Sequence, residues 1–450
     1  MKTFTNMKLL IFGLLGFLLI LLESQAQVPL VPASTTVVLL LDQAIELALT
    51  HHPQITEAKA RERQAKAATR DVRSRKDWQV KLEGEQVHLS KVPTLSGFPP
   101  AFHMSAVTLA KEDAHSGSIT AQRVISSGNK IENGLRQSQL VAEASVFGTI
   151  RSRQLVAFAA ERDFLQLVLA QGEVGVASQA LDTAEEYLRV ARNRYEAKSA
   201  AEFDVLRAEV QVEEARLDLV RANTTVETAR ASLGQTLAIP VEAWRASEEG
   251  LLASWTRFSV NDAIEMAFKQ RPELAGAELN IQAAQSGLAV AHGERRPSVN
   301  FVADYQRNDP ETTLQLNRWS AVVVADFPLI DGGHARASVD SAKAIVSQQK
   351  AVSDGIIKQI EREVRQAHAR IDSAVTQVGV ATKRLALAEE MLRVAHVRYS
   401  SGISTMTEVA DAQTSVTRAK QGQIRAMSDL RIAEIELRLA MGVNPKETNR

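Results

Sequence analysis

The most regular feature of the sequence is an apolar residue at every seventh position over two long stretches. In the first stretch, large aliphatic side chains alternate with alanines: Val205, Val212, Leu219, Val226 and Leu233 with Ala208, Ala215, Ala222 and Ala229. A heptad period is typical of helices packed as a left-handed coiled coil, and the alanines let two helix backbones approach closely. The pattern therefore predicts a long helix packed along its length against a partner helix.

The same pattern returns in the second half of the chain. The positions there are Val409, Val416, Gln423, Leu430 and Leu437, with Ala412, Ala419, Ala426 and Ala433. A matching apolar face runs upstream of each stretch, and short breaks near residues 197–201 and 400–404 separate the upstream and downstream parts. We therefore predict two antiparallel helical hairpins, at about 130–238 and 333–443.

Proline positions leave room for very long helices in these two regions. No proline occurs between Pro100 and Pro240, or between Pro328 and Pro445. An interior proline costs a helix about 3 kcal/mol, so its absence over such windows is informative. At 1.5 Å per residue, a helix of about 65 residues would be a rod roughly 100 Å long.

Strand-like alternation of apolar and polar residues precedes the second predicted hairpin. In Arg318–Ile330 one face carries Trp319, Ala321, Val323, Ala325 and Phe327. Pro297–Gln306 alternates in the same way, with Val299, Phe301, Ala303 and Tyr305 on one face. Each segment approximates the 9–11 residues with which a tilted β-strand crosses a membrane. We predict a β-hairpin at about 297–330, and a strand of a small soluble sheet remains the alternative.

The first half carries a weaker version of this alternation. Trp78–Leu89 and Ser116–Ser126 alternate, with a phase slip near Gly84. The stretch Lys91–Gly117 contains prolines and glycines and is interpreted as an enlarged loop. The predicted first β-hairpin therefore spans about 78–126.

Two pairs of similar segments indicate an internal duplication. Residues 41–55 (LDQAIELALTHHPQI) resemble 260–274 (VNDAIEMAFKQRPEL), an offset of 219 residues. Residues 184–195 (AEEYLRVARNRY) and 388–399 (AEEMLRVAHVRY) share nine of twelve positions at an offset of 204 residues. The smaller second offset means that the first copy has about 15 extra residues between its two matches.

The duplication predicts the domain organisation. We expect a first repeat at 27–240, a linker at 241–258 and a second repeat at 259–450. Each repeat would consist of a helix, a β-hairpin and a long helical hairpin. Only the first repeat would contain the enlarged loop.

The first residues predict export. Lys2 and Lys8 precede an apolar run from Leu9 to Leu22, and small residues follow at Ser24 and Ala26. This is the pattern of a secretory signal peptide over residues 1–26, cleaved after Ala26. The chain has no cysteine, so neither disulfides nor a lipid-modified cysteine are expected.

Composition narrows the classes of protein further. Lys and Arg number 53, as do Asp and Glu, so no basic excess indicates nucleic-acid binding. After the signal peptide no apolar run approaches the roughly 20 residues of a membrane helix. We therefore expect either a soluble periplasmic protein or a β-barrel. Four strands cannot close a barrel, so a barrel would be shared between copies of the chain. The interior of an eight-stranded barrel, formed by a dimer, is filled by side chains, whereas a twelve-stranded barrel, formed by a trimer, leaves an open pore.

Several motifs resemble the outer-membrane efflux protein family, of which TolC is the best-known member. They are the two repeat openings, Phe327-Pro328-Leu329-Ile330-Asp331-Gly332-Gly333 and Arg398-Tyr399-Ser400-Ser401-Gly402. The resemblance implies a mainly α fold with a membrane β-barrel portion. It implies a homotrimer in the outer membrane whose twelve-stranded barrel continues as an α-helical barrel across the periplasm. It also implies a periplasmic adaptor and an inner-membrane pump as partners.

Two positions depart from the family pattern. The first repeat has Lys198 where the second has Gly402, the glycine of the helical-turn motif, and Ser127-Gly128-Asn129 where the second has Asp331-Gly332-Gly333. A residue other than glycine in a left-handed turn costs about 1 kcal/mol or more. We therefore expect the first helical turn to differ in shape.

An acidic pair follows the second turn. Glu408 and Asp411 are three residues apart and share a helix face. The equivalent residues of the first repeat are Asp204 and Arg207. The resemblance implies that this turn is the periplasmic entrance, where acidic residues constrict and gate the channel, and that Tyr399 helps to hold it closed. Ordinary solvated surface charges are the alternative.

Other candidate chemistry is weak. His51-His52 and Asp331–His334 lack metal-ligand spacing and fit helix ends and turns, and no nucleophile or nucleotide motif appears. We therefore expect no catalytic site, metal or cofactor. An outer-membrane duct for drugs, metal ions or other small molecules is favoured over a duct for type I protein secretion, a trimeric coiled-coil envelope protein and a periplasmic enzyme. The sequence does not identify the cargo, because the pump selects it.

Overall fold

The computed structural model describes residues 37–96, 99, 106–240, 244–247, 258–309 and 317–443. The predicted signal peptide lies outside these ranges. The described helices are α1 (Leu41–His51), α2 (Pro53–Ser74), α3 (Lys130–Glu196), α4 (Glu202–Leu237), α5 (Val260–Gln270), α6 (Pro272–Gly293), α7 (His334–Ser400) and α8 (Met406–Met441). The described strands are β1 (Val37–Leu39), β2 (Gln79–His88), β3 (Thr94–Ser96), β4 (Ala106–Thr108), β5 (Asp113–Ser126), β6 (Trp244–Ala246), β7 (Ser298–Asp309) and β8 (Arg318–Asp326).

The two halves of the chain have helices of equal length. Helices α3 and α7 each contain 67 residues, and α4 and α8 each contain 36. A helix of 67 residues is about 100 Å long. We call α3 with α4 the first hairpin and α7 with α8 the second hairpin. The order of helix, β-hairpin and helical hairpin predicted from the sequence is thus present in both halves.

Prolines divide the leading helix of each half. Pro53 and Pro272 are the first residues of α2 and α6, and the preceding His52 and Arg271 are extended. The residue before a proline is disfavoured in the helical conformation, whereas proline at the first helical position is tolerated. The short helices α1 and α5 are thereby turned away from α2 and α6.

The helices form a layer whose order is set by their contacts. Next to the sheet, the order of neighbouring helices is α2, α3, α6, α7. Farther from the sheet, toward the turns of the hairpins, the order is α4, α3, α8, α7. Two apolar cores lie where α1 and α5 meet the hairpins. Phe164 and Leu233 are buried in the first core and Ile360 and Leu437 in the second. In each hairpin, the heptad positions predicted from the sequence lie buried or half-buried between the helices.

The main sheet has four antiparallel strands in the order β2-β5-β7-β8. Its register alternates cleanly: the face that contains Leu82 also carries Ile119, Tyr305 and Trp319, while the opposite face carries polar residues such as Asp304. Side chains of successive strand residues point to opposite faces, so one face of the sheet is apolar and the other mainly polar. The outer edges of β2 and β8 pair with no other described strand.

The structure corrects three details of the strand prediction. Pairing runs without a slip through Gly84, and the register shift lies instead between Val124 and Ser126. Strand β5 begins at Asp113, so the enlarged loop is shorter than Lys91–Gly117, and it contains the small β3-β4 ladder. Strand β8 ends at Asp326, because the proline at 328 lacks the amide that continued pairing would need.

The linker holds a strand that the sequence pattern did not predict. Within it, β6 pairs in parallel with β1 near the start of the described chain. The pairing brings residues that precede α1 against residues that follow the first hairpin. None of the described helices combines the length and the apolarity needed to cross a membrane.

Candidate gate at the helical tip

The two helical turns at the free ends of the hairpins have the same geometry. Lys198 has a φ of 58° and Gly402 a φ of 72°, both left-handed. In the first turn the amides of Lys198 and Ser199 donate to carbonyls three and five residues back, and in the second turn Gly402 and Ile403 do the same. This is the Schellman arrangement that closes helix ends. The expectation of a different first turn was therefore wrong: Lys198 adopts the strained conformation.

Arg207 joins the two hairpins at the tip. Its Nη1 donates to Thr407 Oγ1 at 3.0 Å, and its Nη2 lies 3.9 Å from Asp411 Oδ1. Asp204 does not take part in this contact, since its Oδ2 accepts a hydrogen bond from the Ala201 amide at 3.3 Å and caps α4. Of the four charged residues singled out from the sequence, Arg207 and Asp411 are thus the two brought together across the hairpins.

Glu408 faces a different cation. Its Oε2 lies 3.7 Å from Arg398 Nη2, on the helix that enters the turn. Both Glu408 and Asp411 remain solvent-exposed, and exposed pairs at such distances contribute at most about 1 kcal/mol. The two carboxylates are therefore open to solvent and only weakly paired.

Tyr399 lies between the hairpins. Arg194 of α3 places its guanidinium carbon 4.3 Å from the centre of the Tyr399 ring, a cation–π contact. The ring also packs at the edge of a small apolar cluster around Val409 and Ala412. Tyr399 thus connects α3 with both helices of the second hairpin.

A second contact between the hairpins was missed from the sequence. The Tyr187 hydroxyl lies 3.1 Å from His396 Nε2, and their ring centres are 6.0 Å apart. Burial raises the pKa of Tyr187 above its ordinary value, so the hydroxyl keeps its proton and can donate. The sequence does contain an indication of this contact. Tyr187 and His396 occupy two of the three positions at which the duplicated segments 184–195 and 388–399 differ.

Further polar contacts join α3 to α8 at positions away from the tip. Lys420 Nζ donates to Gln179 Oε1 at 3.0 Å, and Arg425 Nε lies 2.5 Å from Glu173 Oε1. Near the middle of α3, Arg438 Nη2 lies 2.6 Å from Glu161 Oε1. Burial raises the pKa of Glu161, although the Arg438 guanidinium opposes the shift. The side chains that form polar contacts between the hairpins thus become more exposed to solvent toward the tip.

The other motifs singled out from the sequence lie at helix starts. His52 Nδ1 accepts a hydrogen bond from the Gln54 amide at the start of α2, and Asp331 accepts from the amides of Gly333 and Ala335 at the start of α7. These are helix-capping interactions. Across the described part of the chain, no three His, Asp or Glu side chains are grouped so as to hold a metal ion.

Helices α4 and α7, the outermost helices of the layer near the turns, carry apolar side chains that face solvent. On α4 these are Phe203, Leu206, Val210, Leu217 and Val220. On α7 they are Val380, Leu387, Met391, Val394 and Val397. Helices α3 and α8 lie between α4 and α7, so the two stripes are on opposite sides of the chain. Both stripes start within a few residues of the helical turns and therefore lie at the same height on the rod.

Comparison with known proteins identifies the fold. Residues 263–443 match the family model described as outer membrane efflux protein. Protein CyaE of Bordetella pertussis is 26% identical over 446 residues, which cover 91% of this chain and 85% of that protein. A solved structure of CusC superposes with a TM-score of 0.76 at 18% identity, covering 90% of this chain and 92% of that one.

A second solved structure agrees. The outer membrane protein VceC of Vibrio cholerae superposes with a TM-score of 0.72 at 16% identity, and the match covers 90% of this chain and 96% of that chain. The resemblance drawn from the sequence motifs is confirmed by these matches. The fold is that of the TolC-like outer-membrane channel proteins.

Proposed function

We propose that this chain, whose residues 263–443 belong to the outer membrane efflux protein family, is one subunit of a trimeric export channel in the outer membrane. The channel would conduct cargo from a periplasmic adaptor and an inner-membrane pump to the outside. It conducts and does not catalyse, and the pump selects the cargo.

The observation that carries this proposal is the four-stranded sheet. It has an apolar and a mainly polar face, and its outer strands β2 and β8 lack partners among the described residues. A strand edge in lipid needs a partner for every backbone amide and carbonyl, which favours a closed barrel. Three chains placed edge to edge supply twelve strands and enclose a pore, with the polar face toward water.

The exposed stripes of the helical layer support the same assembly. When β8 of one subunit meets β2 of the next, α7 of the first subunit lies beside α4 of the second. Heptad-spaced apolar side chains on both helices can then interdigitate, for example Leu206 and Val210 against Val394 and Val397 of the neighbour. This contact joins two different surfaces, so it closes only as a ring.

Mass measurement tests the assembly. The mature protein purified in detergent should have about three times the mass of one chain, whose precursor is 49.2 kDa. Replacing Ala215 or Ala419 with Leu should overpack the helices by roughly 1–3 kcal/mol and weaken the trimer. A stable monomer with an intact sheet would contradict the shared barrel.

The gate is tested by conductance. In a trimer, Glu408 and Asp411 would place six carboxylates around the entrance if their shared face points inward, and such a ring attracts cations. We expect a cation-selective channel that divalent or trivalent ions block from the periplasmic side.

Neutralising the pair should remove this behaviour. The double variant Glu408→Gln with Asp411→Asn should lose both the block and part of the cation preference in planar bilayers. A matched control neutralises two exposed acids of α4 further from the tip, Asp218→Asn with Glu227→Gln. Equal selectivity in the gate variant and the control would mean that Glu408 and Asp411 are ordinary surface charges.

A further inference from the structure

A short apolar segment between β8 and α7 is unusually exposed. In this segment, Phe327–Ile330, the accessible fractions of Leu329 and Ile330 are 84% and 94%. Apolar area gains about 25 cal/mol per Å² when it is removed from water, and contiguous exposed apolar residues commonly mark an interaction site. The segment also follows directly on β8, an outer strand of the sheet.

An apolar groove lies where α2, α3 and α6 meet. It has a volume of about 460 Å³ and is lined mainly by side chains of α2 and α3. The apolar lining residues are Ala65, Ala68, Val72, Ile131, Val141 and Val290. Helix α2 leads into β2, the opposite outer strand of the sheet.

The segment and the groove lie at the same height. Ile330 follows the end of β8 by four residues, and the groove residues of α3 lie within its first twelve residues, or about 18 Å below β5. In the proposed ring, β8 of one subunit adjoins β2 of the next, and the segment of the first subunit then reaches the α2 side of the second. Within one chain the segment leads into α7, which packs against α6, whereas most of the groove lining comes from α2 and α3.

We propose that Leu329 and Ile330 of each subunit insert into the α2-α3 groove of the neighbouring copy. The inference rests on the proposed trimer and specifies one of its contacts. The occupant of the groove is therefore a second copy of this chain.

Charge at the two surfaces supports this occupant. Asp331 follows the apolar segment directly, and the amides of Ala335 and Gly333 lower its pKa, so that its carboxylate stays charged. The cationic side chains Arg75 and Lys130 also line the groove. Opposite charges at this point would fix the depth to which the segment enters, as electrostatic complementarity fixes register at interfaces.

Cysteine cross-linking tests the contact, because the chain contains no natural cysteine. The double variant Ile330→Cys with Ala68→Cys, oxidised in outer-membrane vesicles, should give covalent dimers and trimers on non-reducing gels. The matched control is Ile330→Cys with Arg70→Cys. Arg70 lies two residues further along α2, about 200° around the helix from Ala68, and should not cross-link.

The outcomes separate this inference from the proposed function. A wild-type protein that is a trimer by native mass spectrometry but yields no cross-link between 330 and 68, or equal cross-linking in the control, overturns the inserted segment and leaves the channel standing. Labelling of the trimeric Ile330→Cys variant by a membrane-soluble maleimide also overturns it, because the segment would then face lipid. A monomeric wild-type protein overturns the proposed function itself.

A charge substitution provides a second measurement. Ile330→Asp would place a carboxylate in the groove and should lower the temperature at which the trimer dissociates in detergent, while Ile330→Leu should leave it unchanged. Dissociation of the Asp variant at the wild-type temperature would count against the insertion.

Discussion

The two ends of the contact between the hairpins differ in how they are held. Near the middle of α3, the pair Glu161–Arg438 is short, with side chains only 3% and 22% exposed. At the tip, the pair Arg207–Asp411 spans 3.9 Å and its side chains are 39% and 71% exposed. A buried pair is screened little and is costly to break, whereas an exposed pair contributes at most about 1 kcal/mol. The hairpins are therefore joined firmly in the middle and weakly at the tip.

Apolar packing follows the same gradient. Around the middle of the hairpins, the large side chains of Phe164, Leu233 and Leu437 are fully buried. At the tip, the only large buried side chain of the cluster is Val409, and its larger neighbours are only partly buried: Tyr187, Leu392, Tyr399 and Met406. Fewer buried apolar atoms give a lower free energy of local opening. Hairpins packed in this way can part at the tip while their middle stays packed.

The largest expected effect is at the buried pair. Glu161→Ala leaves Arg438 without its partner beside Arg431, another cation. Removing one member of a buried pair costs about 3 kcal/mol or more. We expect a loss of this size in the free energy of unfolding, measured by denaturant titration. Asp411→Ala serves as the control, and a similar loss in both variants would remove the contrast between middle and tip.

The pH dependence of the same carboxyl group comes next. Because burial raises the pKa of Glu161 above its ordinary value of 4.5, the folded protein binds more protons than the unfolded chain just above pH 4.5. Stability then falls as pH rises through this window. Relative to Glu161→Gln, the wild-type protein should therefore gain stability as the pH is lowered toward 4.5. The opposite slope of the difference would show that Arg438 outweighs burial.

The aromatic contact near the tip should have a smaller effect. Tyr187→Phe removes the hydrogen bond to His396 and keeps the ring, at a cost of about 0.5–1.5 kcal/mol. Because this bond joins the two hairpins, we expect channels of the variant to open more often in planar bilayers. Tyr195→Phe, at the exposed tyrosine on the same helix, is the control. An unchanged open fraction for Tyr187→Phe would mean that the contact does not restrain the tip.

Arg207 should matter least for stability and still be visible in conductance. Arg207→Ala should cost less than about 1 kcal/mol, because its contacts are exposed. The loss should shrink further at high salt, which screens exposed charges. Resting conductance should rise, since the variant frees Thr407 and Asp411 together. A salt-independent loss of several kcal/mol would place Arg207 in a buried network.

Much of the fold could be predicted from the sequence because it depends on periodic patterns. The heptads containing Val212 and Val416 predicted the hairpins, and the alternation around Trp319 predicted the sheet. The end of β8 at Asp326 was missed because the alternation continues through Phe327 while pairing does not. The pairing of β6 with β1 was missed because three residues are too few to show a period.

The tip was predicted less completely, because its contacts join residues about 200 positions apart. Sequence comparison singled out Arg207 and Asp411 but could not show that one meets the other. It also could not show that Lys198 would take the left-handed conformation that glycine favours. Tyr187 and His396 were visible only as differences within a duplicated segment.

The ion pairs between α3 and α8 have matched spacings along the two helices, and this limits how the rod can change in length. From Glu161 to Glu173 along α3 is twelve residues, and from Arg438 back to Arg425 along α8 is thirteen, so the two helices advance together. An insertion into one helix alone would separate every later pair. Seven residues added to each of α3, α4, α7 and α8 would restore the pairs and lengthen the rod by about 10 Å. The length of the rod can therefore change in evolution only by coordinated insertions or deletions of whole heptads in both halves of the duplication.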